Sequence, residues 1–390
     1  TYTTNVDSSY SNIFFSYCVF ALGVDNSILS GRIPNKNCIN YSTNFFIGTG
    51  LAVINTTCVS IKDSVLYRNQ AAYGANLLLK SSEVLNCTVV ISNVSSMDGL
   101  GREAQGIILK ILSNGSLPFP SALPNVVINN STFECNNNGT DDLFSLYFLA
   151  NRVYIHGSFF NYSNIYTLDD SVLTECQFMN VLTDNDFGTC VQCQFTRSNY
   201  ASTNRNSSCS SCNFTDCYLV VAQHAMCEQC RFVNSTIELV VVSFELHKTD
   251  LVYYKFADCM FQNSPTSLYN TGAARYVDCI FDNSSVTVAS SFMYLGGNTS
   301  FFNSSTQTNG GAISLRWSTI VIEEGAKVTF KNNTAPYGGA LYMDSASSLN
   351  FVSIQTTNVS FLYNTALISG GAIFIEDPPV RPTVQCFFIA

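Results

Sequence analysis

Residues 259–263 read Cys-Met-Phe-Gln-Asn and residues 279–283 read Cys-Ile-Phe-Asp-Asn. The same phrase stands at 176–180 (Cys-Gln-Phe-Met-Asn), 212–216 (Cys-Asn-Phe-Thr-Asp) and 230–234 (Cys-Arg-Phe-Val-Asn). Looser copies are Ser-Phe-Phe-Asn at 158–161 and 300–303, Cys-Gln-Phe-Thr-Arg at 193–197, Thr-Phe-Lys-Asn-Asn at 329–333 and Ser-Phe-Leu-Tyr-Asn at 360–364. With the phenylalanines taken at 159, 178, 195, 214, 232, 261, 281, 301, 330 and 361, successive gaps are 19, 17, 19, 18, 29, 20, 20, 29 and 31. A spacing this regular marks a stacked repeat.

Each repeat holds short runs rich in Val, Ile, Phe and Tyr, such as 237–244, 251–254 and 319–322, bounded by Asn, Asp, Ser and Gly. Those are strand and turn residues, and no 3.6-residue apolar period with caps competes with them. A unit of this size cannot bury its apolar face alone. Winding successive units into coils buries it, each strand pairing in parallel with its counterpart about 4.8 Å away. The predicted fold is all-β, a single-stranded right-handed parallel β-helix of roughly 15–18 coils and on the order of 80 Å long. The longer gaps are coils with longer loops. The β-helix is expected over 1–376, with 377–390, which holds Pro378, Pro379 and Pro382, as a linker or the start of a further segment.

Cysteine two residues before phenylalanine puts both side chains on one face of a strand. Cys176, Cys193, Cys212, Cys230, Cys259 and Cys279 then form one inward ladder, and Cys18, Cys38 and Cys58 repeat its spacing. Neighbours about 5 Å apart lie within the Cα range a disulfide accepts, although spacing leaves the connectivity open. Cys190/Cys193, Cys209/Cys212 and Cys227/Cys230 are Cys-x-x-Cys pairs. A zinc site is the competing reading, because fifteen residues separate Cys193 from Cys209. Here each second cysteine falls on the ladder and each first cysteine makes a second, parallel ladder. Structural disulfides are therefore expected among these nine.

The chain has 16 cysteines, 12% charged residues and a net charge of -9. The acidic balance and the lack of any Lys/Arg cluster exclude a nucleic-acid partner. Asn-x-Ser/Thr sequons stand at Asn40, Asn55, Asn86, Asn93, Asn114, Asn129, Asn130, Asn138, Asn161, Asn206, Asn213, Asn234, Asn283, Asn298, Asn303, Asn332 and Asn358. Many cysteines, many sequons and few charges together predict a secreted, N-glycosylated protein of a eukaryotic secretory pathway. The chain begins at Thr1 without an apolar leader, which reads as a mature or trimmed product. No run approaches 18 apolar residues, so no membrane span is expected.

Toward the C-terminus the phrase changes. Gly-Gly-Ala opens 310–315, 338–343 and 370–375, alternating with Phe-x-x-Asn at Phe330 to Asn333 and Phe361 to Asn364. Residues 330–343 echo residues 66–79, so both ends share one repeat. This alternation, clear over about 300–376, resembles the repeats of the chlamydial polymorphic outer-membrane proteins. The resemblance implies a β-helix of the autotransporter type with a surface or adhesive role. The cysteine-rich middle and dense sequons depart from it and fit a eukaryotic relative.

Catalysis has little to rest on. Asp141/Asp142, Asp169/Asp170, Asp184/Asp186 and Glu323/Glu324 are the paired carboxylates, and none recurs at coil spacing. His156, His224 and His247 share no motif. Trp317 and the tyrosines could form a sugar platform, but aromatics in strands are more often core. Asn161, Asn234, Asn283, Asn303 and Asn332, two after the phenylalanine, have two readings. One is an inward ladder of amides; the other is an outward row of glycans. The two are set against each other, and the Ser/Thr completing each sequon favours glycans.

The expected function is structural: a non-catalytic, rod-like block of a cell-surface or extracellular fibre, self-associating end to end, without cofactor or metal. The alternative is an adhesin binding a receptor or glycan along the β-helix face, with a polysaccharide-degrading enzyme behind both.

Overall fold

The computed structural model describes residues 3–5, 12–16, 19–21, 51–54, 58–67, 70–71, 77–81, 88–97, 100–101, 104–111, 125–134, 144–148, 152–163, 165–167, 171–184, 187–202, 207–221, 225–239, 253–353 and 356–376. The chain divides into two compact units, Thr1–Tyr200 and Ala201–Ala390. Among the described residues both units are strands and turns without helix. The fold is a parallel β-helix.

In the first unit, Asn125–Asn129 lies between Thr88–Met97 and Arg152–His156, in parallel with both. The register places Ile91, Ile128 and Ile155 in one buried column. The column continues through Leu173 to Cys190. A second set of strands, Thr132–Glu134, Phe159–Asn161, Gln177–Met179 and Gln194–Thr196, puts Phe133, Phe160, Phe178 and Phe195 in register. Their rings stack face to face at 5.0, 5.0 and 4.6 Å.

The second unit repeats this cross-section. Asn213–Thr215, Arg231–Val233, Met260–Gln262, Ile280–Asp282, Asn298–Phe302, Lys327–Lys331 and Asn358–Leu362 pair in order. Phe214, Phe232, Phe261, Phe281, Phe301, Phe330 and Phe361 form their stack, with centroids 5.1, 4.9, 4.4, 4.5, 5.0 and 4.8 Å apart. Coils at one strand spacing bring equivalent rings to the separation that stacked aromatics prefer.

One position of the repeat is corrected. In Ser-Phe-Phe-Asn at 158–161 the stacked ring belongs to Phe160, which is fully buried, and not to Phe159. The turn residue with positive φ is accordingly Tyr162 and not Asn161. Two adjacent phenylalanines leave the face ambiguous in sequence, and in-register pairing with Phe133 and Phe178 decides it.

The Gly-Gly-Ala phrases have a steric cause. Gly310, Gly338 and Gly370 sit at φ 74°, 61° and 73°. At the next residue the coils approach backbone to backbone: a Cβ on Gly311 would lie 2.1 Å from the Gly339 carbonyl oxygen, and one on Gly339 would lie 2.3 Å from that of Gly371. Only glycine fits there.

Candidate functional site

The recurring phrase builds two corners of each coil. At the first corner a residue with positive φ precedes a buried small polar side chain. In the first unit Asn130, Gly157, Glu175 and Gln192 precede Ser131, Ser158, Cys176 and Cys193. In the second, Ser211, Gln229, Asp258 and Asp278 precede Cys212, Cys230, Cys259 and Cys279. Such a bend takes the inward residue's N–H out of the sheet ladder, and a hydroxyl on the next coil accepts it: Val94 donates to Ser131 (3.2 Å) and Ser131 to Ser158 (3.1 Å). The Ser131 hydroxyl donates to the Asn129 carbonyl (2.8 Å) and the Ser158 hydroxyl to that of His156 (3.0 Å). The thiols do the same: Cys176 donates to Thr174 (3.3 Å), Cys230 to Glu228 (3.3 Å), Cys259 to Ala257 (3.2 Å) and Cys279 to Val277 (3.3 Å). Cysteine here occupies a serine's place, as a small buried donor.

All nine cysteines expected from sequence as disulfide partners are buried thiols in this structure. Six make the predicted inward ladder, through the phenylalanines that follow them: Cys176 and Cys193 in register in the first unit, and Cys212, Cys230, Cys259 and Cys279 in the second. Cys209 and Cys227 are direct Cα partners in the second column, which continues as Phe256 and Tyr276. Cys190 follows Leu173 in the equivalent column and meets the Tyr200 hydroxyl at 3.8 Å. In the second unit the thiols touch: Cys230 is hydrogen-bonded to Cys212, Cys227 and Cys259, and Cys259 to Cys279. The bonds from Cys230 and Cys279 pull the Cys259 thiol down, while burial above all pushes Cys279 well up. Among the described residues no three His, Cys, Asp or Glu side chains are grouped to hold a metal ion.

At the second corner the positive-φ residues in the second unit are Asp216, Asn234, Asn263, Asn283, Asn303, Asn332 and Tyr363. Asparagine and aspartate tolerate this conformation best among residues with a side chain. The next residue points inward and caps the preceding coil. Ser235 accepts from the Cys217 N–H (3.1 Å), Ser264 from Ser235 (3.0 Å), Ser284 from Ser264 (2.8 Å) and Ser304 from Ser284 (3.1 Å). Asn333 and Asn364 continue the series at 3.0 Å each. This inner column, including Cys217, was not read from sequence, although Asn-Ser at coil spacing was its signal.

Outside it, the corner asparagines form a ladder of amides facing solvent. Asn283 donates to Asn263 (2.7 Å), Asn263 to Asn234 (3.0 Å), Asn234 to Asp216 (3.2 Å) and Asn332 to Asn303 (3.3 Å). The ladder is thus exposed and not inward, which corrects the opposition of ladder and glycan. A primary amide carries two N–H bonds, and each rung uses one. Of the sequons on described residues, Asn93, Asn130, Asn213, Asn234, Asn283, Asn298, Asn303, Asn332 and Asn358 are exposed, while Asn129 and Asn161 are half-buried. Asn40, Asn55, Asn86, Asn114, Asn138 and Asn206 lie outside the described residues, as do Cys18 and Cys38.

Among the described residues the candidate acids do not assemble. Glu323 accepts two bonds from Arg275, at 2.7 and 2.9 Å, reaching across a coil where Gly296 leaves room. His156 faces Glu175 at 4.0 Å on the surface. Asp141, Asp142, Asp169, Asp170, Asp186, His224 and His247 lie outside the described residues, and Asp184 is described for its backbone alone. Trp317 is 74% exposed at a corner with φ 54°, its backbone N–H held by the Asp344 carboxylate at 3.1 Å. Tyr269 and Phe292, on preceding coils, are exposed as well.

Residues 327–344 and 358–376 match the Chlamydia polymorphic membrane protein (Chlamydia_PMP) repeat. The match falls on the strands that carry Phe330 and Phe361 and on the two Gly-Gly-Ala phrases at 338 and 370. No curated protein and no solved structure matches the chain. The repeat and the parallel solenoid fit a surface, adhesin-like or structural role.

Proposed function

We propose that this chain is a non-catalytic structural glycoprotein, a building block of a cell-surface or extracellular fibre. The observation that carries the reading is that the recurring polar side chains are engaged from coil to coil. Serine hydroxyls accept backbone N–H groups of the preceding coil, thiols reach carbonyls of the preceding coil, and the outer amides bond to one another. Such groups hold a repeat together, and among the described residues none of them is set as an acid–base pair toward a substrate. The resemblance to a membrane-protein repeat supports a location at or outside the cell surface. The exposed sequons support N-glycosylation, with the remaining N–H of each corner amide as the attachment point.

The test is electron microscopy of the chain, expressed through a eukaryotic secretory pathway and concentrated. Filaments of stacked copies are expected, and a monodisperse monomer at high concentration contradicts the fibre.

A second reading, an adhesin, is favoured by the exposed Tyr269, Phe292 and Trp317, since exposed aromatic clusters mark contact surfaces. Glycan mapping separates the two: sugars on every face fit a fibre, and one broad bare face around Trp317 fits a binder.

A further inference from the structure

We propose that the thiol columns close into disulfides between successive coils, Cys176–Cys193, Cys209–Cys227, Cys212–Cys230 and Cys259–Cys279, and not within the Cys-x-x-Cys pairs. This pairing does not depend on whether the chain forms a fibre or binds a receptor.

The register supplies the first argument. Cys209 and Cys227 are Cα partners in adjacent parallel strands. The Arg231 N–H bonds to the Cys212 carbonyl, the Ile280 N–H to that of Cys259 and the Gln194 N–H to that of Cys176, each at 2.9 Å. Cys230, Cys279 and Cys193 precede those donors by one residue, so each stands directly beside its proposed partner. Adjacent parallel strands hold such partners about 4.8 Å apart, within the Cα range of a disulfide.

The lean of the side chains supplies the second. Beyond its own corner carbonyl, Cys230 Sγ reaches the Cys209 carbonyl on the preceding coil at 3.5 Å. Cys279 Sγ reaches the Phe256 carbonyl, on the coil of Cys259, at 3.4 Å. Cys176 Sγ and Cys259 Sγ lean the same way, toward the Ile155 and Cys227 carbonyls of their own preceding coils at 3.4 Å each. The tilt thus runs one way along the stack, brings Cys230 toward Cys212 and Cys279 toward Cys259, and leaves the choice among neighbours to parity.

Parity supplies the third. Cys176, Cys259 and Cys279 have Leu173, Phe256 and Tyr276 three residues before them, so no Cys-x-x-Cys partner exists for them. Within the column of Cys212, Cys230, Cys259 and Cys279, pairing in order from Cys212 uses all four, whereas a Cys230–Cys259 bond strands both ends. Cys190, whose column neighbour in the first unit is Leu173, is the one of the nine left as a thiol.

The chemistry requires a small-molecule disulfide such as oxidised glutathione. One protein thiolate attacks it and releases one small thiol, leaving a mixed disulfide. The neighbouring protein thiolate then displaces the second small thiol. Two protein thiols are oxidised by two electrons, one small disulfide is reduced, and the two protons pass to the released thiolates. Because the sulfurs are buried, exchange takes place as the coils assemble.

The full chain, refolded with oxidised and reduced glutathione and alkylated after denaturation, tests this by chymotryptic mapping without reduction. Chymotrypsin cuts after the phenylalanine that closes each rung, so every coil yields its own peptide. Expected are a peptide with Cys209 and Cys212 linked to one with Cys227 and Cys230, and a Cys259 peptide linked to a Cys279 peptide. Disulfides confined within single Cys-x-x-Cys peptides, or alkylated Cys259 and Cys279, overturn the proposal. The variant Cys279→Ser keeps a small donor of the kind Ser131 and Ser158 supply. It is expected to release one additional alkylatable thiol, and no additional thiol overturns the pairing.

Discussion

Phe281 is the most tightly stacked rung, and its removal measures what the stack contributes. Its ring is fully buried, 4.4 Å from Phe261 and 4.5 Å from Phe301, with Tyr276 edge-on at 5.4 Å. Phe281→Ala removes a buried ring between two flanking coils that cannot collapse without breaking their own registers. A buried Phe→Ala change costs about 3–5 kcal/mol, and loss of two stacked partners places this one at about 4. Phe281→Leu keeps most of the volume and loses only the ring contacts, at about 1.5 kcal/mol. Native-state hydrogen exchange reads both at the Ile280 and Ser300 amides, which bond across coils to Cys259 and Cys279 at 2.9 Å. At 1.4 kcal/mol per decade, protection falls about 1,000-fold in the alanine variant and about tenfold in the leucine variant. In a solenoid the loss stays near the lesion, so the Arg231 amide, two coils away, loses less. A fall below tenfold in Phe281→Ala, or equal falls in both variants, would refute the stacking argument.

Ser264→Ala leaves the buried Ser235 N–H without its acceptor at 3.0 Å, and urea denaturation is expected to show a loss of about 1–3 kcal/mol. Gly296→Ala places a Cβ 2.3 Å from Glu323 Oε2; it displaces the Arg275 bridge and lowers stability by about 1–3 kcal/mol in the same assay. Asn263→Val puts a β-branched residue at φ 49° and breaks two amide rungs, whereas Asn263→Gly keeps the conformation and breaks only the rungs. Thermal unfolding should therefore rank wild type above glycine and glycine above valine. Asn283→Gln, in secreted protein, is expected to shorten the chain's glycan count by one in intact mass, because Asn283 is an exposed sequon.

The fold was legible because a coil is a local statement repeated. Cys-x-Phe sets one face of a strand, and the turn residue after it sets the corner; a constant gap does the rest. Phe159 was misread for the same reason, since two adjacent phenylalanines satisfy the phrase equally and only pairing with Phe133 separates them. Phe133 itself escaped notice because Glu134 and Cys135 follow it where most other copies have asparagine or aspartate, although Ser131 is a corner donor like the later cysteines. The serine column at Ser235, Ser264, Ser284 and Ser304 was hidden because three of its members fill the variable second place of the sequons at Asn234, Asn283 and Asn303, where attention falls on the residues either side. The amide ladder and the outward glycans were set against each other because a sequence gives spacing without the sense of a corner, and an exposed ladder was not weighed. Surface features such as the exposed Trp317 do not repeat, so periodicity has nothing to say about them.

The account stands on coils stacked in register, and distance between outward positions of one column tests that most directly. Arg231, Met260, Ile280, Ser300, Thr329 and Ser360 occupy successive rungs of the second unit. Spin labels carried on unnatural amino acids at 231 and 360 are five rungs apart, so pulsed electron resonance should give a narrow distribution near about 24 Å at about 4.8 Å per coil. Moving the first label from 231 to 260 should shorten it by about one strand spacing. A broad distribution, or a distance that does not shorten by that step, would contradict the stacked coil.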